Sequence, residues 1–362
     1  MQEQIPERVK ISPFLVFYIV TSMQIGIGIL GYQRLIAKHS GNDAWISILI
    51  AGFCLHILLW MIYKIAETVN GDFVTANIYI VGNFFGKLIS SVLIFYYFIY
   101  GLTVLRTYIE FIQVWMFPEI GIFWFTFAFM LLCIYIVYGG FRTVVGIAFF
   151  GIILPYCLFL VFGFNLKFAN FDQLLPIWNH TVKDILLGSY QMLLSLIGFE
   201  TVLFFYPFIK EPQKSKKWAH LGLLTTSFTY IALMIVTTTY FSEAQLLKSI
   251  WPTLTMWKIV KMPFIERFEY IGIASWNLAI LPNVCISIWI ASRLLKRVFN
   301  IQQKSGVQLI ALTTLIIINF INSREKVDWL NNFMIKVGFT FSFIYIPLLF
   351  ICIMIAKKVK KK

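Results

Sequence analysis

Apolar positions in this chain run in long, nearly unbroken stretches. They show neither the alternation of a half-buried strand nor the single stripe of a surface helix. Ten stretches approach the roughly 20 residues that a helix needs to cross a bilayer. They cover about 14–35, 44–66, 86–112, 122–138, 144–166, 185–206, 219–241, 269–294, 307–321 and 333–356. The pattern predicts an all-α polytopic membrane protein with ten transmembrane helices. Residues 1–362 read as one integral membrane domain, with spans 1–5 over about 14–166 and spans 6–10 over about 185–356. The longest connection, about 242–268, is too short for a separate soluble domain.

Two of these spans are interrupted near their middle by small residues. Span 1 carries Gly26-Ile27-Gly28-Ile29-Leu30, and span 6 carries Gly198-Phe199-Glu200. A helix that unwinds inside a bilayer exposes N–H and C=O groups that lipid cannot satisfy, so breaks are tolerated where they line an enclosed cavity. Matching breaks in two halves point to a ligand site near the midplane. Ten spans divide into five plus five, and an odd number per half inverts the second half. The prediction is a five-plus-five inverted repeat with discontinuous helices 1 and 6.

Composition agrees with this reading: the chain is 60% hydrophobic and 13% charged, against about 25% charged in soluble domains. The formal net charge of +14 sits at span ends, as in Lys357, Lys358 and Lys360–Lys362, where it suits anionic lipid headgroups rather than nucleic acid. With the N-terminus inside, the inner segments hold 18 of the 30 Lys and Arg residues. That bias places both termini in the cytoplasm.

The candidate chemistry gathers at the breaks. Around Gly26, Ile27 and Gly28 the second half-helix starts with free N–H groups and a positive dipole end, which suits a carboxylate. The competing reading is a small-residue face for helix packing. Beside Gly198 and Phe199, Glu200 is a carboxylate at mid-span, and such a group is expensive enough to need a role. Three roles stay open: binding a ligand amino group, holding an ion or proton, or tying down unwound backbone N–H groups. Phe199 either shapes a side-chain pocket or faces lipid. Tyr97 and Tyr100 on span 3 are potential hydrogen-bonding partners for a ligand, with aromatic packing as the alternative. On span 8, Asn277 and Asn283 flank Pro282, which frees a backbone carbonyl one turn earlier. They either complete a polar site or bond helix to helix. Arg106 and Glu110 stand one turn apart near the outer end of span 3; they either neutralise each other as a structural pair or form part of an outer gate. The scattered cysteines and histidines read as structural. There is no P-loop, H-E-x-x-H or G-x-S-x-G motif and no metal-ligand spacing, so no catalytic residue, metal or cofactor is predicted.

The order of several motifs resembles the B subunits of spore germinant receptors. They are Lys10-Ile11-Ser12-Pro13-Phe14, Gly26-Ile27-Gly28-Ile29-Leu30, Gly41-Asn42-Asp43-Ala44-Trp45-Ile46-Ser47, Gly198-Phe199-Glu200, the basic stretch from Lys210 to Lys217, Trp251-Pro252-Thr253-Leu254, and Phe264-Ile265-Glu266-Arg267-Phe268-Glu269 followed by Trp276. The resemblance covers nearly the whole chain. It implies the amino acid–polyamine–organocation superfamily fold and a nutrient sensor in the inner spore membrane. It also implies an A subunit and a lipoprotein C subunit as partners, and a small-molecule germinant, chiefly an amino acid. The ligand would lie at the breaks in spans 1 and 6. The alternative function is an amino acid permease of the same superfamily.

Overall fold

A computed structural model describes residues 5–260 and 267–360. The 264–266 part of the resembling stretch and the two terminal lysines lie outside these residues. Among the described residues sixteen α-helical segments follow one another. The first broken element consists of α1 (Leu15–Gln24), a 3-10 turn (Ile27–Leu30) and α2 (Tyr32–Ser40). Next come α3 (Ala44–Val69), α4 (Phe73–Trp115), α5 (Ile122–Tyr138) and α6 (Phe141–Tyr156), the last continued by a 3-10 stretch to Phe168. The second broken element consists of α7 (Val182–Gln191), α8 (Leu193–Leu196), a turn (Phe199–Thr201), α9 (Val202–Phe205) and a turn ending at Phe208. Then follow α10 (Pro212–Tyr240), two short helices, α11 (Glu243–Lys248) and α12 (Pro252–Trp257), and α13 (Phe268–Phe299). The chain ends with α14 (Gln303–Ile318), α15 (Arg324–Phe339) and α16 (Ile346–Lys360).

Among the described residues six helical stretches are long and apolar enough to cross a membrane: 32–69, 73–115, 141–168, 212–240, 268–299 and 324–359. Four shorter apolar stretches accompany them, and two of these belong to the broken elements. This is an integral membrane protein. Several helices exceed their sequence-based bounds. α4 begins at Phe73 and is kinked at Gly82 (φ 79°), and α15 begins at Arg324, nine residues before the apolar run at 333. In α15 the added turns are polar sequence that hydropathy assigns to a loop.

The centre of the fold is α13, whose most apolar window is 94% buried. It packs most extensively on α4 and α6. Such burial explains why its sequence tolerates small and polar residues: Asn283, Ser287 and Ser292 face protein and not lipid. The two broken elements are also tied at their ends. Ile11 N–H donates to Phe208 O (2.8 Å) and Lys210 N–H to Ile11 O (3.0 Å). His56 on α3 and His220 on α10, far apart in sequence, meet with their Nδ1 atoms 2.9 Å apart.

At the opposite end, Asp43 closes the turn between α2 and α3. It accepts N–H bonds from Trp178 (2.7 Å), Asn179 (2.7 Å) and His180 (3.0 Å), and its Oδ2 lies 3.1 Å from the His180 ring. Burial pushes its carboxyl up, but the Trp178 and Asn179 amides and both donors of His180 outweigh this and hold it below the ordinary value. A carboxyl lowered in the folded state adds stability above its unfolded pKa and loses it as pH falls through the folded pKa. Asp43→Asn should therefore lower the melting temperature at pH 7 and flatten the acid limb of the stability curve. Melting of the detergent-purified chain from pH 7 down to 3 checks this; curves parallel to wild type would contradict it.

Candidate functional site

The two breaks lie against each other, held by donors from four other elements and by two from the breaks themselves. On the first break, Tyr100 OH donates to Met23 O (2.9 Å), Tyr230 OH to Gln24 O (2.8 Å) and Trp276 Nε1 to Gly26 O (3.1 Å). Thr253 Oγ1 donates to Ile29 O (2.9 Å) and is itself held by Gln33 Nε2 (2.7 Å). On the second break, Gln24 Nε2 donates to Leu196 O (2.7 Å) and Thr201 Oγ1 to Gly198 O (2.6 Å). The carbonyls that unwinding frees are thus taken by protein donors, as a water-free interior requires. The N–H groups of Ile27 and Gly28 open the 3-10 turn of the first break and have no acceptor within it.

A small cavity of 30 Å³ sits between the breaks. Its wall includes Met23, Gln24, Gly26, Ile27 and Gly28 from the first break, Ser195 from the second, Tyr100, Thr103 and Val104 from α4, Asn283 from α13, and Asn331 and Met334 from α15. Gln24 Oε1 is buried and has no hydrogen-bond partner among the described residues. No charged side chain is in the lining.

Of the residues that the sequence singles out, Gly26, Ile27, Gly28, Tyr100 and Asn283 therefore meet at one cavity. The others lie behind it or away from it. Gly198 adopts φ 114°, a conformation that L side chains rarely take, and a Cβ there would come 2.7 Å from Met23 Cβ. Phe199 is fully buried and does not face lipid. Glu200 is 1% exposed; its Oε2 accepts the Gly198 N–H (2.7 Å) and its Oε1 accepts the Tyr96 hydroxyl (2.8 Å). Its carboxylate thus spans the unwound turn and α4 without reaching the cavity wall. Tyr97 packs edge-on to Phe204, with ring centroids 4.9 Å apart. Asn277 lies on the half of α13 before Pro282, outside the lining.

Gly28 and Gly26 differ in an instructive way. A Cβ on Gly28 would overlap the Ser195 hydroxyl and lie 3.0 Å from Ser195 Cβ. A Cβ on Gly26 would meet Asn283 Nδ2 at 3.4 Å, an ordinary contact. Close approach of the two breaks thus depends on Gly28.

Beyond the cavity, Thr107 Oγ1 donates to Asn331 Oδ1 (3.2 Å). One turn further along α4, Glu110 pairs with Arg324 of α15, and the Arg324 guanidinium lies 5.6 Å from the Trp251 ring centroid. The expected Arg106–Glu110 partnership is not the one formed. Arg106 Nε donates instead to Ile321 O (2.5 Å), so both residues tie α4 to the 318–324 turn. Sequence reasoning misses Gln24, Ser195, Thr103 and Asn331. A lone Gln at the last helical position before a break is a signal that could have found the first. Asn331 lies in the polar extension of α15 that hydropathy leaves out.

A buried cavity between two paired helix breaks, walled by long membrane helices, is the architecture of secondary transporters. Solved transporter structures match it. A sodium-coupled sialic acid symporter in a substrate-bound outward-open state gives a TM-score of 0.61 at 12% identity, covering 92% of this chain and 78% of its own. MhsT in complex with L-phenylalanine gives 0.63 at 14% identity, covering 93% and 87%. At these identities the likeness concerns the fold alone. Sequence comparison is more specific: the family model described as "Spore germination protein" matches residues 10–327. Spore germination protein GerQB of Bacillus cereus is 42% identical over 349 residues, covering 96% of this chain and 97% of the relative. Spore germination protein A2 of Bacillus subtilis (strain 168) is 23% identical, covering 86% of each. The chain belongs to the spore germination protein family, and the resemblance to germinant receptor B subunits is borne out.

Proposed function

We propose that this chain is the nutrient-sensing subunit of a spore germinant receptor and binds an amino acid between its two helix breaks. In this reading residues 1–362 form one membrane domain of ten spans in a five-plus-five inverted repeat. It lies in the inner spore membrane with both termini cytoplasmic and assembles with an A and a C subunit. The observation that carries the ligand assignment is the cavity itself. It joins the opening turn at Ile27–Gly28, suited to a carboxylate, to neutral polar groups and the unpartnered Gln24 Oε1. The Gly26–Gly28 turn, Tyr100 and Asn283 are the residues proposed to touch ligand. Glu200 is proposed to brace the second break through Gly198 N–H and Tyr96.

The size of the cavity bears on mechanism. A volume of 30 Å³ holds about one water, so an amino acid must spread the walls. A ligand shifts a conformational equilibrium only by its differential affinity for the two states. Binding would favour a wider arrangement of the breaks against α4 and α15, and a partner subunit would read that change. Germination of spores carrying this chain against a panel of amino acids tests the assignment. A saturable response to one or a few, lost when the A or C subunit is deleted, supports it; a response that survives those deletions contradicts the complex.

The transporter fold favours a second reading, a secondary amino acid permease. Uptake of labelled amino acid by the purified chain in liposomes separates the two. Accumulation above protein-free vesicles favours the permease, and binding without uptake favours the sensor.

A further inference from the structure

α4 and the α15–α16 helix are bracketed together by the Thr107–Asn331 hydrogen bond at one end and the Tyr96–Phe341 ring contact (centroids 5.2 Å) at the other. Between them runs a groove of 570 Å³ whose lining includes Val92, Phe95, Tyr96, Phe333, Lys336 and Phe341. Along α4 its rim continues as one exposed stripe at three- and four-residue spacing: Phe85, Leu88, Val92 and Phe95. The 324–359 helix is the least covered of the six long ones, with only 28% of its most apolar window buried.

Lys336 is the feature that an apolar lipid-facing surface does not explain. It is exposed and has no side-chain partner among the described residues. It lies within the apolar run that begins at 333 and lines the groove among Val92, Phe95, Phe333 and Phe341. An ammonium on such an apolar wall normally pairs within protein. Just beyond it α15 widens into a π-helical turn over Thr340–Tyr345, a local departure frequent at functional sites. The Ser342 hydroxyl within that turn is buried without a partner among the described residues.

We propose that this groove seats a membrane-spanning helix of a companion subunit, whose carboxylate pairs with Lys336. The proposal rests on the assembly argued under Proposed function and adds its location. The groove reaches the ligand site in two steps. Its wall residue Tyr96 donates to Glu200 Oε1, and Glu200 holds Gly198 of the second break. At its other end Tyr345 OH bonds to Asn77, whose Nδ2 donates to Ser90 across the Gly82 kink. A helix lying there touches both the brace behind the ligand cavity and the kinked start of α4. Movement at the breaks is thereby transmitted to the companion through Tyr96.

The test uses the full receptor in spore membranes, with companion recovery normalised to the abundance of this chain. Lys336→Ala and Val92→Trp should each cut co-purification of a companion subunit at least tenfold, while Lys336→Arg retains it. A photoreactive residue at Phe95 should cross-link to that companion, and one at Leu131, exposed on α5, should not. Equal recovery with wild type, Lys336→Ala and Val92→Trp, or only lipid adducts from the Phe95 probe, would overturn the groove assignment and leave the assembly standing. Failure of the wild-type chain to recover any companion would instead overturn the assembly, and the groove assignment with it.

Discussion

Replacing Glu200 with Ala should remove most of the folded protein from the membrane. The change leaves the Gly198 N–H and the Tyr96 hydroxyl buried without acceptors, each at about 1–3 kcal/mol. Native stability is only about 5–15 kcal/mol, so two such losses consume much of it. Glu200→Gln keeps a carbonyl for one of the donors and should retain more protein, with lower heat stability and little shift in the germinant dose–response per molecule. Tyr96→Phe should cost less in Glu200→Ala than in wild type, because the partner hydroxyl is then already idle. Abundance and melting temperature of the four variants measure this. A large rightward shift in dose–response for Glu200→Gln at normal abundance would instead mean that the carboxylate meets the ligand directly.

The second large effect is expected at Gly28. Gly28→Val should abolish the nutrient response while the chain still inserts, because the side chain would occupy the space of Ser195 and hold the breaks apart. Gly28→Ala should be impaired and partly rescued by Ser195→Gly, which removes the atoms that it strikes. Gly26→Ala, facing Asn283 at 3.4 Å, should respond nearly normally. Equal losses at Gly26 and Gly28, or no rescue by Ser195→Gly, would show that close approach of the breaks is not what Gly28 provides.

The long apolar helices and both breaks are legible in the sequence, because lipid demands sustained apolarity and an unwound turn favours glycine. The Gly26–Gly28 and Gly198–Glu200 turns follow from that logic, but it ranks Tyr100 no higher than Tyr97 and Asn283 no higher than Asn277, and packing alone brings the first of each pair to the cavity. Less legible is which polar groups face the cavity. Tyr96, Tyr97 and Tyr100 share a few turns of α4, and only the helix's rotation against the breaks assigns Tyr96 to Glu200 and Tyr100 to Met23 O. Nothing in the sequence marks Trp276 or Tyr230 as a donor to the breaks, yet each donates to a carbonyl of the first break. Asn331 is invisible to hydropathy because α15 extends in polar sequence beyond the apolar run. The Arg106–Glu110 spacing suggests a local pair, but Arg324, more than two hundred residues away, is the partner that packing supplies.

The most direct test of the account is ligand binding to the isolated chain, read as a shift in melting temperature across a panel of amino acids. The account predicts a saturable, concentration-dependent rise with one or a few of them, by RT ln(1 + [L]/Kd), that is absent in Gly28→Val and retained in Gly26→Ala. A saturable rise of equal size in wild type and in Gly28→Val, both folded to the same extent, would place the ligand somewhere other than between the two breaks.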